Sequence, residues 1–133
     1  MTISSKQARS CHMQVVHFLR KSISYADGAS AVIDVGVVPA GSIILKAMSG
    51  VAVNVAYTAG TNNLMQLGTS GNTDLFGTNL SVASIAFVPM DEAVGGYLVA
   101  ADTVITAEMA LTGTAAGAGS AEIIIAFVPD IDR

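Results

Sequence analysis

Cys11, His12 and His17 are the side chains with which a search for covalent or acid–base chemistry in this chain begins. Nucleophilic catalysis needs a nucleophile, a base within hydrogen-bond reach and a group that orients the base. The two histidines are five residues apart in a stretch that reads as a strand. An odd spacing puts them on opposite faces, so they do not serve one site together. Cys11 and His12 are adjacent, and adjacent strand residues diverge. A lone thiol in a chain with no other cysteine is usually an inert small hydrophobe, and it forms no internal disulfide. Catalysis is therefore the weakest functional class, and no cofactor is expected.

Metal and phosphate chemistry fare little better. Asp91 and Glu92 follow one strand end, and Asp130 and Asp132 follow another of matching sequence, which would place all four at one edge of a sandwich. Such a cluster would suit calcium, but no D-x-D-x-D-G loop supports it, and the simpler reading is acids that keep loop ends soluble. Gly68-Thr-Ser-Gly-Asn-Thr-Asp74 is glycine-rich but lacks the Gly-Lys-Ser/Thr ending and the following helix of a phosphate loop. Seven aromatics and no tryptophan leave little for stacking on single-stranded nucleic acid. Tyr25, Tyr57 and Tyr97 are too scattered to argue for a sugar-binding platform.

The elements that would hold these residues are strands. The clearest is the segment 101–130. Thr103, Ile105, Ala107, Met109 and Leu111 alternate with Asp102, Val104, Thr106, Glu108 and Ala110. After a Gly/Ala/Thr loop, Ala121, Ile123, Ile125 and Phe127 alternate with Ser120, Glu122, Ile124 and Ala126. Period-two alternation predicts a β-hairpin with one buried face, and places Glu108 and Glu122 on its outer side. Upstream, residues 12–20 fit either a helix or a strand, and their β-branched and aromatic content favours a strand. Its two faces would be Met13, Val15, His17, Leu19 and Gln14, Val16, Phe18, Arg20. Tyr25-Ala-Asp-Gly28 reads as a hairpin turn. Residues 31–38 form a strand that ends at Pro39-Ala-Gly41. Residues 42–48 and 51–57 form one long strand or a bent pair, with a bulge at Ser49-Gly50. Residues 64–67 are a short strand, 68–79 a long loop, and 82–88 a strand stopped by Pro89. Ile85-Ala-Phe-Val-Pro89 recurs as Ile125-Ala-Phe-Val-Pro129, a coincidence of common letters that marks a buried strand leaving its sheet at a proline.

About eight strands without a convincing helix, with turn signals every eight to twelve residues, predict an all-β fold: an antiparallel two-sheet sandwich of the jelly-roll kind. Residues 1–28 would be a basic arm and first strand, and 29–133 the body of a single domain. Mean hydropathy is +0.61, yet no run of about 18 uncharged apolar residues predicts a membrane span. No secretory leader is expected, because residues 1–10 contain no apolar stretch.

Charge supplies the interaction argument. Only 12% of residues are charged, about half the globular norm. Lys6, Arg9, Arg20 and Lys21 make the first 21 residues +4, while the rest carries −8. The arm suits an acidic partner surface. Nucleic acid is not the expected partner, since four charges without interleaved aromatics are a weak footprint and the net charge is −4. The 112 residues after the arm carry twelve charges, too few to cover two exposed sheets. Outer positions Val104, Ala110, Ile124 and Ala126 are apolar where a solvated sheet would be polar. Together with Lys6, Arg9, Arg20 and Lys21 they are the expected partner-binding residues, and a homo-oligomer, dimer or trimer, is the expected state.

Several short motifs point to a family. Val37-Val-Pro-Ala-Gly-Ser-Ile-Ile44, Val51-Ala-Val-Asn-Val-Ala-Tyr57, Ala59-Gly-Thr-Asn-Asn-Leu64 and Leu67-Gly-Thr69 come first. Ala101-Asp-Thr-Val-Ile-Thr-Ala107, Leu111-Thr-Gly-Thr114 and Gly119-Ser-Ala-Glu-Ile123 follow. This series resembles small structural proteins of tailed bacteriophages, over residues 37–125. The resemblance implies a virion component made in the host cytoplasm. For a small all-β domain it implies a capsid decoration (cement) protein that binds the major capsid protein and ties coat subunits together. The first 30 residues match poorly, and contacts peculiar to one particle are expected there. The alternatives are a tail, neck or fibre-base component and, from another class, a carbohydrate- or ligand-binding sandwich module.

Overall fold

The computed structural model describes residues 16–92 and 96–129. It contains ten strands: β1 His17–Ser24, β2 Val32–Val38, β3 Ile43–Leu45, β4 Gly50–Val55, β5 Asn62–Thr69, β6 Asn72–Ser81, β7 Phe87–Pro89, β8 Gly96–Leu98, β9 Thr103–Thr112 and β10 Ser120–Val128. They form two antiparallel sheets, one of six strands (β1, β10, β3, β4, β7, β8) and one of four in the order β2-β9-β5-β6. The apolar alternation of each strand turns one set of side chains inward, and these meet between the sheets.

Ten segments reduce to eight strand paths. β3 and β4 lie end to end along the same edge of β10, and β8 and β7 lie end to end along them. With β3 and β4 counted as path 3, β5 as 4, β6 as 5, β7 and β8 as 6, β9 as 7 and β10 as 8, the six-stranded sheet runs 1-8-3-6 and the four-stranded sheet 2-7-4-5. That is the strand order of a jelly roll, as the turn spacing predicted.

The break between β3 and β4 falls where a bulge was expected, but it is larger. Residues 45–49 lie opposite only Ile125 and Ala126 of β10, and Lys46–Met48 close into a single 3-10 turn. The excursion takes away the ladder partner of Ala126. Ser49, fully buried, replaces it: its Oγ accepts the Ala126 N–H at 2.8 Å and donates to the Leu45 carbonyl at 2.8 Å. A buried backbone N–H left unpaired would cost about 1–3 kcal/mol, so the serine hydroxyl is what makes the break tolerable.

The C-terminal pair is not a hairpin. The inner and outer residues of β9 and β10 are those the alternation assigned, but β9 belongs to the four-stranded sheet and β10 to the six-stranded one. Residues 113–119 form an arch that crosses the core. Alternation specifies a buried face, and an arch buries the same face as a hairpin. Gly119 makes the arch close: its φ is +145°, and a Cβ there would come within 2.6 Å of the Tyr57 ring. The same correction applies to Tyr25-Ala-Asp-Gly28. It is a turn, with Gly28 at φ +123°, but β1 and β2 lie in opposite sheets.

Two further expectations fail. Most of the predicted loop 68–79 is β6, joined to β5 by a tight hairpin. Register shifts and Asn79 at φ 55° bend this strand, and its Gly/Thr/Asn composition hid it. Residues 82–86, predicted as strand, are irregular, and only β7 remains; Ile85 is 72% exposed. The two Ile-Ala-Phe-Val-Pro copies thus occupy different environments. Both strands stop at their proline as expected, but only the second is a buried strand; Pro89 is the last residue of edge strand β7, opposite Gly50.

Tyr57 gives the fold a pH signature. Its ring is buried and its hydroxyl is 3.5 Å from the Ile23 carbonyl. Burial, and then the negative charge of Asp27, pushes its pKa up to about 12 from the ordinary 10.0. Below about pH 10 the folded and unfolded forms both keep the proton. Between about pH 10 and 12 the unfolded form loses it first, so stability falls across that window. Denaturant melts at about pH 9 and about pH 11 should show a smaller drop for Tyr57→Phe than for the unaltered chain. An identical drop would place the phenol in contact with water.

Candidate interaction surface

The residues with chemical potential do not assemble. His17 is exposed and its ring tilts against Phe127, centroids 5.8 Å apart; Cys11 and His12 lie outside the described residues. Asp91 Oδ1 accepts the Thr78 N–H at 3.0 Å, and Glu92 is tied through its backbone, while Asp130 and Asp132 lie outside the described set. Among the described residues no group of three or more His, Cys, Asp or Glu is placed to hold a metal ion, and no helix is long and apolar enough to cross a membrane. Lys46 is the one buried charged side chain among them. Its Nζ donates to the Glu92 carbonyl at 2.8 Å and lies 5.6 and 5.8 Å from the ring centroids of Phe76 and Tyr97. These contacts pin the 3-10 turn to β6 and β8, and the lysine reads as a structural anchor.

The outer sheet faces remain, and they differ. Register places three rows of outward side chains across the six-stranded sheet: Ser22, Glu122, Ala52, Phe87; then Arg20, Ile124, Gly50, Pro89; then Val128, Ile43, Leu98. Phe18, beside Ala126, extends the surface on β1. Phe18, Ile43, Phe87 and Leu98 are 44–65% exposed, and Ile124 and Val128 are partly so. Arg20 and Glu122 are the two charges in these rows, and they form an ion pair with each other. A broad apolar face with its charges already matched is the composition of an interface centre.

The outer face of the four-stranded sheet carries Val32, Val37, Val104, Ala110 and Leu64, but also Asp34, Glu108 and Gln66. No Lys or Arg occurs in β2, β5, β6 or β9, so this face is mixed and acidic.

The expected partner-binding set is therefore divided. Arg20 and Ile124 are cross-strand partners on the apolar face. Val104 and Ala110 are on the opposite side of the molecule, because β9 and β10 are in different sheets. Ala126 leaves the set: it points outward but is 0% exposed, covered where the 3-10 turn folds onto β10. Lys21 is exposed, in the row that faces inward, on β1, which among the described residues pairs with β10 alone. Lys6 and Arg9 lie outside the described residues. Sequence reasoning missed Ile43, Phe87 and Leu98. The strands that carry them are three residues long, too short for alternation to register. Phe18 stood on the strand face that alternation listed with Arg20.

No family model matches this chain, and no curated protein matches it. A solved structure does. A chain of the cyanophage Pam1 capsid asymmetric unit is similar in fold, with a TM-score of 0.66 and 15% sequence identity over 97% of this chain and 98% of that one. The similarity defines the class of this protein as an all-β jelly-roll sandwich of the kind found in that capsid asymmetric unit.

Proposed function

We propose that this chain is a virion structural protein without enzymatic activity, a decoration or cement protein that binds the head shell and ties coat subunits together. The observation that carries the reading is the end-to-end likeness of fold to a chain of a phage capsid asymmetric unit, 97% of one against 98% of the other. The likeness of fold runs over nearly all of both chains, and the other is a chain of a capsid asymmetric unit. The motif series at residues 37–125 points the same way. So does the broad apolar outer face of the six-stranded sheet, whose two charges are paired with each other. In this role the protein acts passively. By binding the assembled shell and not its separated subunits, it opposes opening by mass action. Its partner is the major capsid protein, and its place is the outside of the particle.

The test mixes purified coat-protein shells with the chain and pellets them. Co-pelleting is the expected result, weakening as salt rises from about 0.1 to about 1 M, because the Debye length falls from about 10 to about 3 Å and the basic arm loses its reach. A variant lacking residues 1–10 with Lys21→Glu should pellet less and lose most of the salt dependence. Equal pelleting of both proteins at every salt concentration would remove the arm from the account, and no pelleting of either would remove decoration.

A further inference from the structure

We propose that the outer face of the six-stranded sheet is the docking surface for a second copy of this chain, packed face to face about a two-fold axis. The inference stands on the two outer faces alone and does not rest on the capsid reading.

Charge decides between the ways two copies can stack. The face of the four-stranded sheet holds Asp34 and Glu108 with no cation on its strands. Two such faces repel. Stacking it on the six-stranded face adds Glu122 and offers only Arg20 in return, and a head-to-tail contact of that kind generates open chains instead of a closed pair. The six-stranded face against itself balances: each copy brings one Arg20 and one Glu122, diagonal neighbours in register. A two-fold axis beside them sets the arginine of each copy against the glutamate of the other. This face is self-complementary, as an isologous contact requires.

Shape and size agree. The natural complement of a broad sheet face is another sheet face about 10 Å away. Four strand paths at about 4.8 Å, with β1 eight residues long at about 3.4 Å each, give roughly 500 Å² per copy and roughly 1,000 Å² in all, where specific interfaces begin. Phe18, Ile43, Phe87 and Leu98 would supply the apolar contacts, with the charges exchanging partners at the centre.

The experiment is sedimentation equilibrium on the full chain. The unaltered protein is expected at twice the 13.5 kDa chain mass. Leu98→Asp, at a 65% exposed position, should halve that mass with an unchanged far-ultraviolet circular dichroism spectrum. Arg20→Glu alone and Glu122→Arg alone should each give monomers, since each leaves like charges facing across the axis. Mixed in equal amounts, these two should recover the doubled mass, and this arm keeps the test decisive if Leu98→Asp fails to fold. A monomer or trimer for the unaltered chain, a dimer that survives in a folded Leu98→Asp, or a charge-swap mixture that stays monomeric overturns the proposal.

Discussion

Ile125→Asp is expected not to fold, whereas Ile124→Asp, one residue earlier, is expected to fold normally. Ile125 is fully buried on the inner face of β10, the strand bordered by β1 on one side and by β3 and β4 on the other. It shares one buried core with Ile44, Val51, Ile105 and Met109, drawn from both sheets. A carboxylate there enters an apolar core, and the one buried charged side chain among the described residues, Lys46, already donates to the Glu92 carbonyl. The carboxylate must either desolvate its charge or take up a proton, and the substitution also gives up the burial of three apolar carbons. The combined loss should exceed about 4 kcal/mol, a large part of the roughly 5–15 kcal/mol that holds a domain of this size together. Ile124 points to the opposite face, in the row with Arg20, where a carboxylate stays hydrated. Circular dichroism and urea melts of both variants make the comparison. A folded Ile125→Asp beside an unfolded Ile124→Asp would mean the faces of β10 are reversed.

Gly50→Ala should be nearly as damaging, for a different reason. Gly50 opens β4 opposite Pro89 of β7, and a Cβ built on it would lie 2.1 Å from the Val88 carbonyl oxygen. That oxygen belongs to the backbone and cannot rotate away, so β7 must leave the sheet. Overpacking typically costs about 1–3 kcal/mol, and a clash with backbone atoms that cannot rotate away belongs at the upper end of that range. The displaced strand carries Phe87 of the apolar face, so Gly50→Ala should lose self-association as well as stability. A urea midpoint within error of the unaltered chain would contradict the close β4–β7 approach. Ala52, two residues further along β4 and in the neighbouring outward row, tolerates its own methyl group and is the control for composition.

Much of the architecture was legible in the residues. The inner faces of β9 and β10 follow from strict alternation, and Pro39 and Gly41 end β2 where their backbone chemistry requires. What alternation cannot encode is which sheet a strand joins. β9 and β10 have the pattern of a hairpin and are an arch, and β1 and β2 repeat the case. The consequence reached the interaction residues directly, since Val104 and Ile124 were expected on one surface and stand on two. β6 was lost because glycine and asparagine in a bulged strand look like loop. At Gly68 the reason for the glycine is crowding, a Cβ there meeting the Asn72 carbonyl oxygen at 2.2 Å. Ala126 was misjudged because its cover comes from the 3-10 turn at Lys46–Met48, a tertiary event that neither strand announces.

The role proposed for this chain is that of a structural component of a virus head. The measurement that bears on it most directly is the ratio of this chain to the coat protein in purified particles, read from a stained gel or by quantitative mass spectrometry. The claim predicts a band in simple proportion to the coat protein, retained after the particles are banded and washed. A few copies per particle would place the chain in the tail or neck, and particles devoid of it would contradict a structural role in the virion altogether.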